Sequence, residues 1–283
     1  MTPLTLAIDV GGTKTDIAWV SDVGDITAIA RIDTAAAGPN LLEEIVNAVP
    51  RSKIDDIGVI GVGCGGPMSP GGEQVSPLNI PAWRNFPLRA ALIQHFGCDV
   101  NVENDAKALA LAEGRFGAAR GISNYVAMVV STGVGGGVVV DGRLLDGSTG
   151  NAGHIGHIVV NPGGAPCGCG VRGCLEAEAS GTAITRMTGR PASEAEISVR
   201  RRTGEMVGRA IASTASLLDV DSFFIAGSVA LGYGADFFGS ARATARQFAG
   251  LSFVSDIRVE PSGLGDRGPI LGAACVAWRS LKP

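Results

Sequence analysis

The feature that most constrains the fold is a pattern of strand, glycine-rich turn and strand that occurs twice along the chain. The first copy, AIDVGGTKTDIAWV, begins at residue 7, and the second, YVAMVVSTGVGGGVVV, begins at residue 125. Apolar and β-branched residues on both sides of a glycine turn are typical of a hairpin. Two such units, each opening one half of a 283-residue chain, predict a duplicated α/β architecture with a cleft between the halves.

Apolar periodicity between and after these hairpins favours the same fold class. It predicts helices at 41–49, 86–96, 106–116 and 193–218, and strands at 57–63, 99–104 and 222–229. The glycine- and proline-rich stretch 65–83 predicts a long functional loop. An alanine-rich sequence, GPILGAACVAWRSL, predicts a helix at the end of the chain.

Composition excludes several classes of function. The net charge is −4 and basic residues do not cluster, so a nucleic-acid-binding surface is not expected. Apolar runs stay below the roughly 18 residues that a membrane span needs, and the first residues lack the pattern of a secretion signal. Three scattered cysteines have apolar or small neighbours, as buried thiols usually do, and we expect a cytoplasmic protein.

A cluster of metal-ligand residues lies in the second half of the chain. His157, Cys167, Cys169 and Cys174 form the pattern H-x9-C-x-C-x4-C, which suits a closed, tetrahedral, structural Zn²⁺ site. Reduced cysteines without a metal are the alternative. His154 is one ligand too many for such a site. On a strand it would point away from His157, whereas on a helical turn the two could share a face.

The two glycine turns are candidate phosphate-binding segments. Gly11 and Gly12 allow backbone N–H groups to approach phosphate oxygens, with Thr13 and Lys14 as further donors. Asp9, at the end of the preceding strand, is placed to hold Mg²⁺ through water. An ordinary glycine hairpin is the alternative for this turn. Thr132 and Gly133 occupy the corresponding place in the second copy, and two such turns facing across a cleft would form a phosphate clamp.

A third candidate segment, ENDA at 103–106, joins a strand to an alanine-rich helix. Asn104 and Asp105 are common N-capping residues, so a purely structural role is one interpretation. A carboxylate at a strand–helix junction that opens on a cleft is also well placed to act as a general base.

Together, DVGGTKT, ENDA, STGVGGG, the segment from GHIGH to CGCGVRGCLE and the strand end AGSV resemble the ROK family of sugar kinases and sugar-responsive repressors. The resemblance covers nearly the whole chain and is most specific in the cysteine block. It implies the actin-like ATPase fold, with two ribonuclease-H-like α/β domains around a central cleft. The domains implied are 1–118 and 119–269, with a final helix at 270–283 that packs back on the first.

The same resemblance implies roles for individual residues. Asp105 corresponds to the base that takes the proton from the 6-hydroxyl of a sugar, while ATP, Mg²⁺ and a structural Zn²⁺ are the implied cofactors. Implied sugar contacts are Gly66, Asn79, Asn104, Asp105, His154, His157 and Glu176. Implied nucleotide and phosphate contacts are Asp9, Gly11, Gly12, Thr13, Lys14, Thr132, Gly133, Gly227 and Ser228.

One departure from the family pattern concerns His154. The family usually has G-E-x-G-H, whose Glu contacts sugar hydroxyls, where this chain has GHIGH. The change is similar to family members that phosphorylate N-acetylmannosamine, which makes that sugar the expected substrate. Glucose or another hexose is the alternative. A repressor is not expected, because the phosphate turn begins at residue 9, and the resemblance favours a homodimer.

Overall fold

The computed structural model describes residues 4–279, which contain two five-stranded sheets and the helices around them. The strands are β1 (Leu4–Val10), β2 (Lys14–Val20), β3 (Ile26–Asp33), β4 (Ile57–Cys64), β5 (Asp99–Asn104), β6 (Tyr125–Val130), β7 (Val134–Val140), β8 (Arg143–Leu144), β9 (Ser222–Ala226) and β10 (Arg258–Pro261). The helices are α1 (Thr34–Ala37), α2 (Leu41–Ala48), α3 (Leu88–Phe96), α4 (Asp105–Phe116), α5 (Leu175–Ala179), α6 (Gly181–Thr188), α7 (Ile197–Leu218), α8 (Ser228–Phe248) and α9 (Gly268–Arg279). Each helix within 4–279 is too short or too polar to cross a bilayer.

The chain divides into two compact units. Within the described residues, the first unit consists of 4–116, 146–152 and 266–279, and the second of 117–145 and 153–265. The domain boundaries predicted from the sequence, 118 and 269, differ from these limits by a few residues. The prediction placed the short segment 146–152 in the second domain, whereas it belongs to the first unit. That segment carries no apolar periodicity, so its sequence does not reveal the unit to which it belongs.

The first unit is built on a sheet with strand order β3-β2-β1-β4-β5. β1 pairs antiparallel with β2 and parallel with β4, which in turn is parallel to β5. Parallel strands end at the same edge of a sheet, and the register places Val10 beside Cys64 and Cys64 beside Asn104. The polar residues that follow these three strands are thereby gathered at one edge.

Helix α9 packs closely against this sheet and against α4. A Cβ atom on Gly61 would lie 1.9 Å from the carbonyl oxygen of Ala273, and one on Gly272 would lie 2.9 Å from the carbonyl carbon of Ala108. Glycine at both positions therefore permits the backbones to approach. The predicted final helix ends at Arg279 within the described residues, and positions 280–283 of that prediction lie outside them.

The second unit repeats the topology of the first. Its sheet has the order β10-β9-β6-β7-β8, so β6, β7 and β8 take the places of β1, β2 and β3, while β9 and β10 take those of β4 and β5. The order of antiparallel and parallel pairings across the sheet is also the same as in the first unit. The predicted duplicated α/β fold class is confirmed.

One strand predicted from the sequence was correct at its start but too long. A strand was predicted at 222–229, but β9 ends at Ala226 because Gly227 has a φ of +101° and its Cβ position lies 2.3 Å from the carbonyl oxygen of Val130. Ser228 then begins the 21-residue helix α8, which the sequence did not predict. The apolar run continues across this junction, so hydropathy alone does not mark the change from strand to helix.

Candidate active site

The carboxylates of Asp9 and Asp105 lie at the shared edge of the first sheet, on either side of Gly63. A Cβ atom on Gly63 would be 3.4 Å from Oδ1 of Asp9 and 3.8 Å from Cα of Asp105. Asp9 is at the buried end of β1, whereas Asp105 is the exposed first residue of α4. Because Gly63 has no side chain, there is room for the two acidic residues to lie close to each other.

Asp9 has an unusual pKa. Burial raises the pKa of its carboxyl to about 7, with further contributions from the negative charges of Asp105 and Asp16 and an opposing one from Lys14. A buried carboxylate beside a second acid is stabilised by a proton or by a cation. Carboxylate oxygens are hard ligands of the kind that Mg²⁺ prefers, so these residues fit the magnesium role implied for Asp9.

Asn104 and Asp105 stand at the start of α4 and contact its first backbone N–H groups in different ways. Oδ1 of Asn104 accepts hydrogen bonds from the backbone N–H groups of Ala106 at 3.1 Å and Lys107 at 3.3 Å. The cap of α4 is therefore supplied by Asn104. Asp105 accepts a hydrogen bond from the N–H of Ala106 at 2.8 Å, and its side chain is exposed at the sheet edge. N-capping therefore explains Asn104, whereas the exposed carboxylate of Asp105 lies beside the buried Asp9.

The first glycine turn and the 65–83 loop meet in the first unit. The turn is closed by a hydrogen bond from Gly11 N–H to the carbonyl of Lys14 at 3.0 Å. Gly12 packs directly on Asn79, because a Cβ atom there would lie 2.5 Å from that of Asn79. Thr13 and Lys14 are exposed, and the ammonium of Lys14 lies 3.3 Å from the carboxylate of Asp16. Gly66 is two residues beyond the end of β4 and therefore follows the same edge of the sheet.

The second glycine turn brings together five of the predicted site residues. The N–H of Ser131 donates to the carbonyl of Gly133 at 2.9 Å, across Thr132, and Ser131 Oγ lies 3.0 Å from Ser228 Oγ. Gly227 precedes Ser228 at the N-terminus of α8, where helix dipole and unpaired N–H groups favour an anion. Glu176 lies beside the same turn, since its Oε2 accepts a hydrogen bond from Val134 N–H at 3.1 Å.

The residues of the predicted zinc site converge in the second unit. One ligand atom from each of His157, Cys167, Cys169 and Cys174 lies within 4.8 Å of all the others. Nδ1 of His157 is 3.6 Å from Sγ of Cys167, and Sγ of Cys169 is 3.6 Å from Sγ of Cys174. Tetrahedral Zn²⁺ with typical bond lengths gives ligand–ligand edges of about 3.5–3.8 Å. The cluster fits a closed zinc site.

The two histidines share a face of a helical turn, which resolves the alternatives left open by the sequence. Ile155–His157 form a 3-10 turn, and the rings of His154 and His157 lie with their centroids 6.2 Å apart and their planes within 18°. This turn packs on β7, because Cβ atoms on Gly153 and Gly156 would lie 2.4 Å and 2.2 Å from backbone oxygens of that strand. His154 is exposed and is therefore accessible to a ligand.

Comparison with known proteins places this arrangement in a family. The sequence profile of the ROK family matches residues 5–280. The chain belongs to the ROK family. A solved ROK glucokinase from Streptomyces griseus, in complex with glucose and AMPPNP, is similar with a TM-score of 0.83 and 30% identity over 98% of this chain and 100% of that one. The predicted actin-like ATPase fold is confirmed.

Curated relatives of this ROK protein have two different names. A glucokinase from Thermotoga maritima is 32% identical in an alignment 308 positions long, which covers 96% of this chain and 96% of that protein. An N-acetylmannosamine kinase from Haemophilus influenzae is 35% identical over 248 residues, which cover 81% of this chain and 82% of that protein. Identity of this level therefore does not decide between the two sugars.

Residues 157–174 carry the four candidate zinc ligands and are called the zinc loop. Sequence reasoning missed a buried carboxylate that anchors this loop. Glu178 accepts a hydrogen bond from the N–H of Ala165 at 2.6 Å and forms an ion pair with Arg202. Burial opposes its ionisation, but these partners hold the pKa of Glu178 below its ordinary value. Two glutamates separated by one residue after Cys174 were the available signal, and Glu176 alone was noticed.

Proposed function

We propose that this ROK protein is an ATP-dependent sugar kinase that phosphorylates N-acetylmannosamine at O6. The observation that carries the proposal is the position of Asp105, an exposed carboxylate beside a second acid at the edge of the first sheet. Relatives named as sugar kinases support the reaction class. A cytoplasmic location and a homodimer are parts of the same proposal.

Asp105 acts as the general base in this reaction. Its carboxylate accepts the proton of the sugar's 6-hydroxyl as that oxygen attacks the γ-phosphorus of ATP, and the bond from this phosphorus to the bridging oxygen breaks, so that ADP leaves. Asn104 uses its side-chain oxygen to cap α4, so its amide N–H groups can donate to the sugar while the cap stays intact. Asp9 would hold Mg²⁺ through water, and the bound cation supplies positive charge to the phosphate oxygens.

The two glycine turns contribute backbone N–H donors for the phosphate groups of ATP. The donors are Gly11, Gly12, Thr13 and Lys14 of the first turn and Thr132 and Gly133 of the second turn. Gly227 and Ser228 contact the nucleotide from the N-terminus of α8, where a negatively charged group is stabilised. Under these assignments, both glycine turns bind the same substrate, ATP.

Zinc has a structural role in this proposal. With three thiolates and Nδ1 of His157 as ligands, the site has no open position for substrate or water. Ligation through Nδ1 leaves the N–H at Nε2 of His157 as a donor for a sugar hydroxyl. The metal would stiffen the loop that carries His157, while Glu176 on the adjacent helix α5 accepts hydrogen bonds from sugar hydroxyls.

His154 selects the acetamido sugar. A carboxylate at this position can accept hydrogen bonds but cannot donate them, whereas an imidazole also carries an N–H donor for an amide carbonyl. The imidazole also avoids placing a negative charge against that carbonyl oxygen. Exposure of His154 on the same face as His157 supports this role.

A glucokinase is the second candidate function. It is favoured by the relative from Thermotoga maritima, which covers more of the chain than the N-acetylmannosamine kinase from Haemophilus influenzae. A sugar sensor without catalytic activity belongs to a different class and would bind sugar without releasing ADP.

A coupled assay of ADP release separates these candidates. The purified protein is tested with Mg²⁺, ATP and one of four sugars: N-acetylmannosamine, N-acetylglucosamine, glucose or mannose. The proposal expects the highest kcat/KM for N-acetylmannosamine. A preference for glucose would reject the substrate and retain the kinase, whereas sugar binding without ADP release would reject both.

A further inference from the structure

Four charged side chains form a closed ring in the first unit, and none of them was predicted to have a function. Lys107 lies 3.0 Å from Oε1 of Glu103 and 3.1 Å from Oδ1 of Asp146. Arg279 completes the ring, because it lies 3.0 Å from the other oxygen of Glu103 and 2.6 Å from the other oxygen of Asp146. Two positive and two negative groups therefore balance one another.

Lys107 is the buried member of this ring. Its side chain is 1% exposed, and its ammonium donates to the carbonyl oxygen of Gly150 at 2.9 Å in addition to the two carboxylates. Each of its three N–H groups thus has an acceptor. Removing one partner from such a group leaves an uncompensated buried charge, so the arrangement has little freedom to shift.

One side of the ring supports the junction that carries Asp105. Oε1 of Glu103 accepts a hydrogen bond from the backbone N–H of Asn104 at 2.9 Å. Lys107 itself lies in the first turn of α4, two residues after Asp105. The ring is therefore bonded to the chain immediately before and immediately after the proposed base.

The other side of the ring fixes the segment 146–152. Asp146 and Gly150 both belong to it, and the amide of Asn151 donates to the carbonyl of Met68 at 3.1 Å. This segment is joined to the second unit at both ends and continues directly into Gly153 and His154. Burial opposes ionisation of Asp146, yet Arg279 and Lys107 hold the pKa of its carboxyl below the ordinary value.

We propose that Lys107 is a positioning residue for the kinase reaction, which it serves by bonding the Asp105 junction to the segment that leads to His154. This inference rests on the proposed function, although the structural link can be measured without substrate. Misplacement by about 1 Å can cost 100-fold in rate, so loss of the link is expected to reduce kcat and weaken sugar binding together.

The test compares Lys107→Met with Lys53→Met, which removes an exposed lysine ion pair in the same unit. Hydrogen–deuterium exchange of 146–152 is measured without ligands, and kcat and both KM values are measured below the unfolding temperature. Lys107→Met is expected to exchange faster in 146–152, to lose tenfold or more in kcat and to raise KM for the sugar about tenfold, with KM for ATP unchanged. Lys53→Met is expected to match wild type.

Asp146 provides a second variant if Lys107→Met does not fold. Its side chain is 50% exposed, so the fold should tolerate Asp146→Asn more readily than Lys107→Met. Asp146→Glu keeps the carboxylate and should therefore restore the slow exchange, kcat and sugar KM that Asp146→Asn loses. A role in folding alone would lower the melting temperature and leave both KM values of the folded enzyme unchanged, which would overturn the inference. If Lys107→Met exchanges faster in 146–152 but the wild-type protein phosphorylates no sugar, the proposed function is rejected and the structural link is retained.

Discussion

The two sheets have the same topology but differ in the chemistry at the ends of their strands. In the first unit, β1 ends one residue after the buried Asp9, and β5 ends at Asn104 and is followed by Asp105. In the second, β6 is followed by the uncharged turn Ser131–Gly133, and β10 ends at Pro261. At these strand ends the first unit presents two carboxylates. The second presents hydroxyl groups, backbone amides, the zinc loop and one carboxylate, Glu176, which helix α5 supplies.

Under the proposed function, this difference corresponds to a division of labour between the two copies of one fold. Proton transfer requires a carboxylate at a fixed place, and the first unit supplies one on a capped helix. Substrate selection requires several converging polar groups, and the second unit supplies these on a loop whose ligand residues fit zinc. Substitutions in the two units should therefore have different kinetic signatures.

The largest effect is expected from removing the base of the first unit. Asp105→Asn retains the size of the side chain and leaves the cap from Asn104 in place, but it cannot accept the proton. We expect kcat to fall about 10²- to 10⁴-fold, the usual contribution of a general base, with little change in either KM.

Asp55→Asn is the control for this change, because Asp55 is an exposed aspartate of the same unit. It should retain wild-type kcat. An Asp105→Asn enzyme within a few-fold of wild type would show that Asp105 is not the base.

The next effect concerns the zinc loop of the second unit. Cys174→Ser removes one of four ligands, so we expect zinc content well below one equivalent and a loss of stability on the order of a few kcal/mol. KM for the sugar should rise because His157 and Glu176 lie next to the loop. Elemental analysis and thermal unfolding measure these outcomes, and Cys98→Ser, which alters a cysteine outside the cluster, should retain zinc. Wild-type protein purified without zinc would contradict the assignment.

Much of this contrast could be predicted from the sequence, because both glycine turns and the cysteine spacing are local patterns. The link between Glu103, Lys107, Asp146 and Arg279 could not, since it joins residues up to 176 positions apart and its members resemble ordinary surface charges. Helix α8 was missed for a different reason: a single glycine with positive φ converts a continuous apolar run from strand to helix. The shared face of His154 and His157 required the backbone conformation of one turn.

A smaller effect is expected from the buried acid of the first unit. The pKa of Asp9 is raised to about 7 in the folded state, so the folded protein retains a proton that the unfolded chain releases between about pH 4 and pH 7. Stability is lost as the pH rises through this window. Asp9→Asn is therefore expected to stabilise the protein at pH 8 by on the order of 2 kcal/mol in buffer without Mg²⁺, while reducing activity.

Denaturant unfolding at pH 4 and pH 8 measures this effect, which should vanish at the lower pH. Asp16→Asn is the matched control on the neighbouring strand. Burial opposes ionisation of Asp16, but Arg31 and Lys14 hold its pKa below the ordinary value, so its ionised form stabilises the fold. Asp16→Asn should accordingly destabilise the protein at pH 8. The same sign for both variants would contradict the electrostatic difference between the two acids.

The division of labour is tested most directly by one quantity, the ratio of kcat/KM for N-acetylmannosamine to kcat/KM for glucose. It is measured in wild type, Asp105→Asn and His154→Glu under identical conditions. We expect wild type to favour N-acetylmannosamine and Asp105→Asn to lose activity with both sugars at a nearly constant ratio. His154→Glu should lower the ratio about 10- to 100-fold while retaining kcat for glucose, because a polar mismatch that the bound acetamido sugar covers from water costs roughly 1–3 kcal/mol. A ratio that His154→Glu leaves unchanged, or that Asp105→Asn alters as much, would contradict the separation of chemistry from selection.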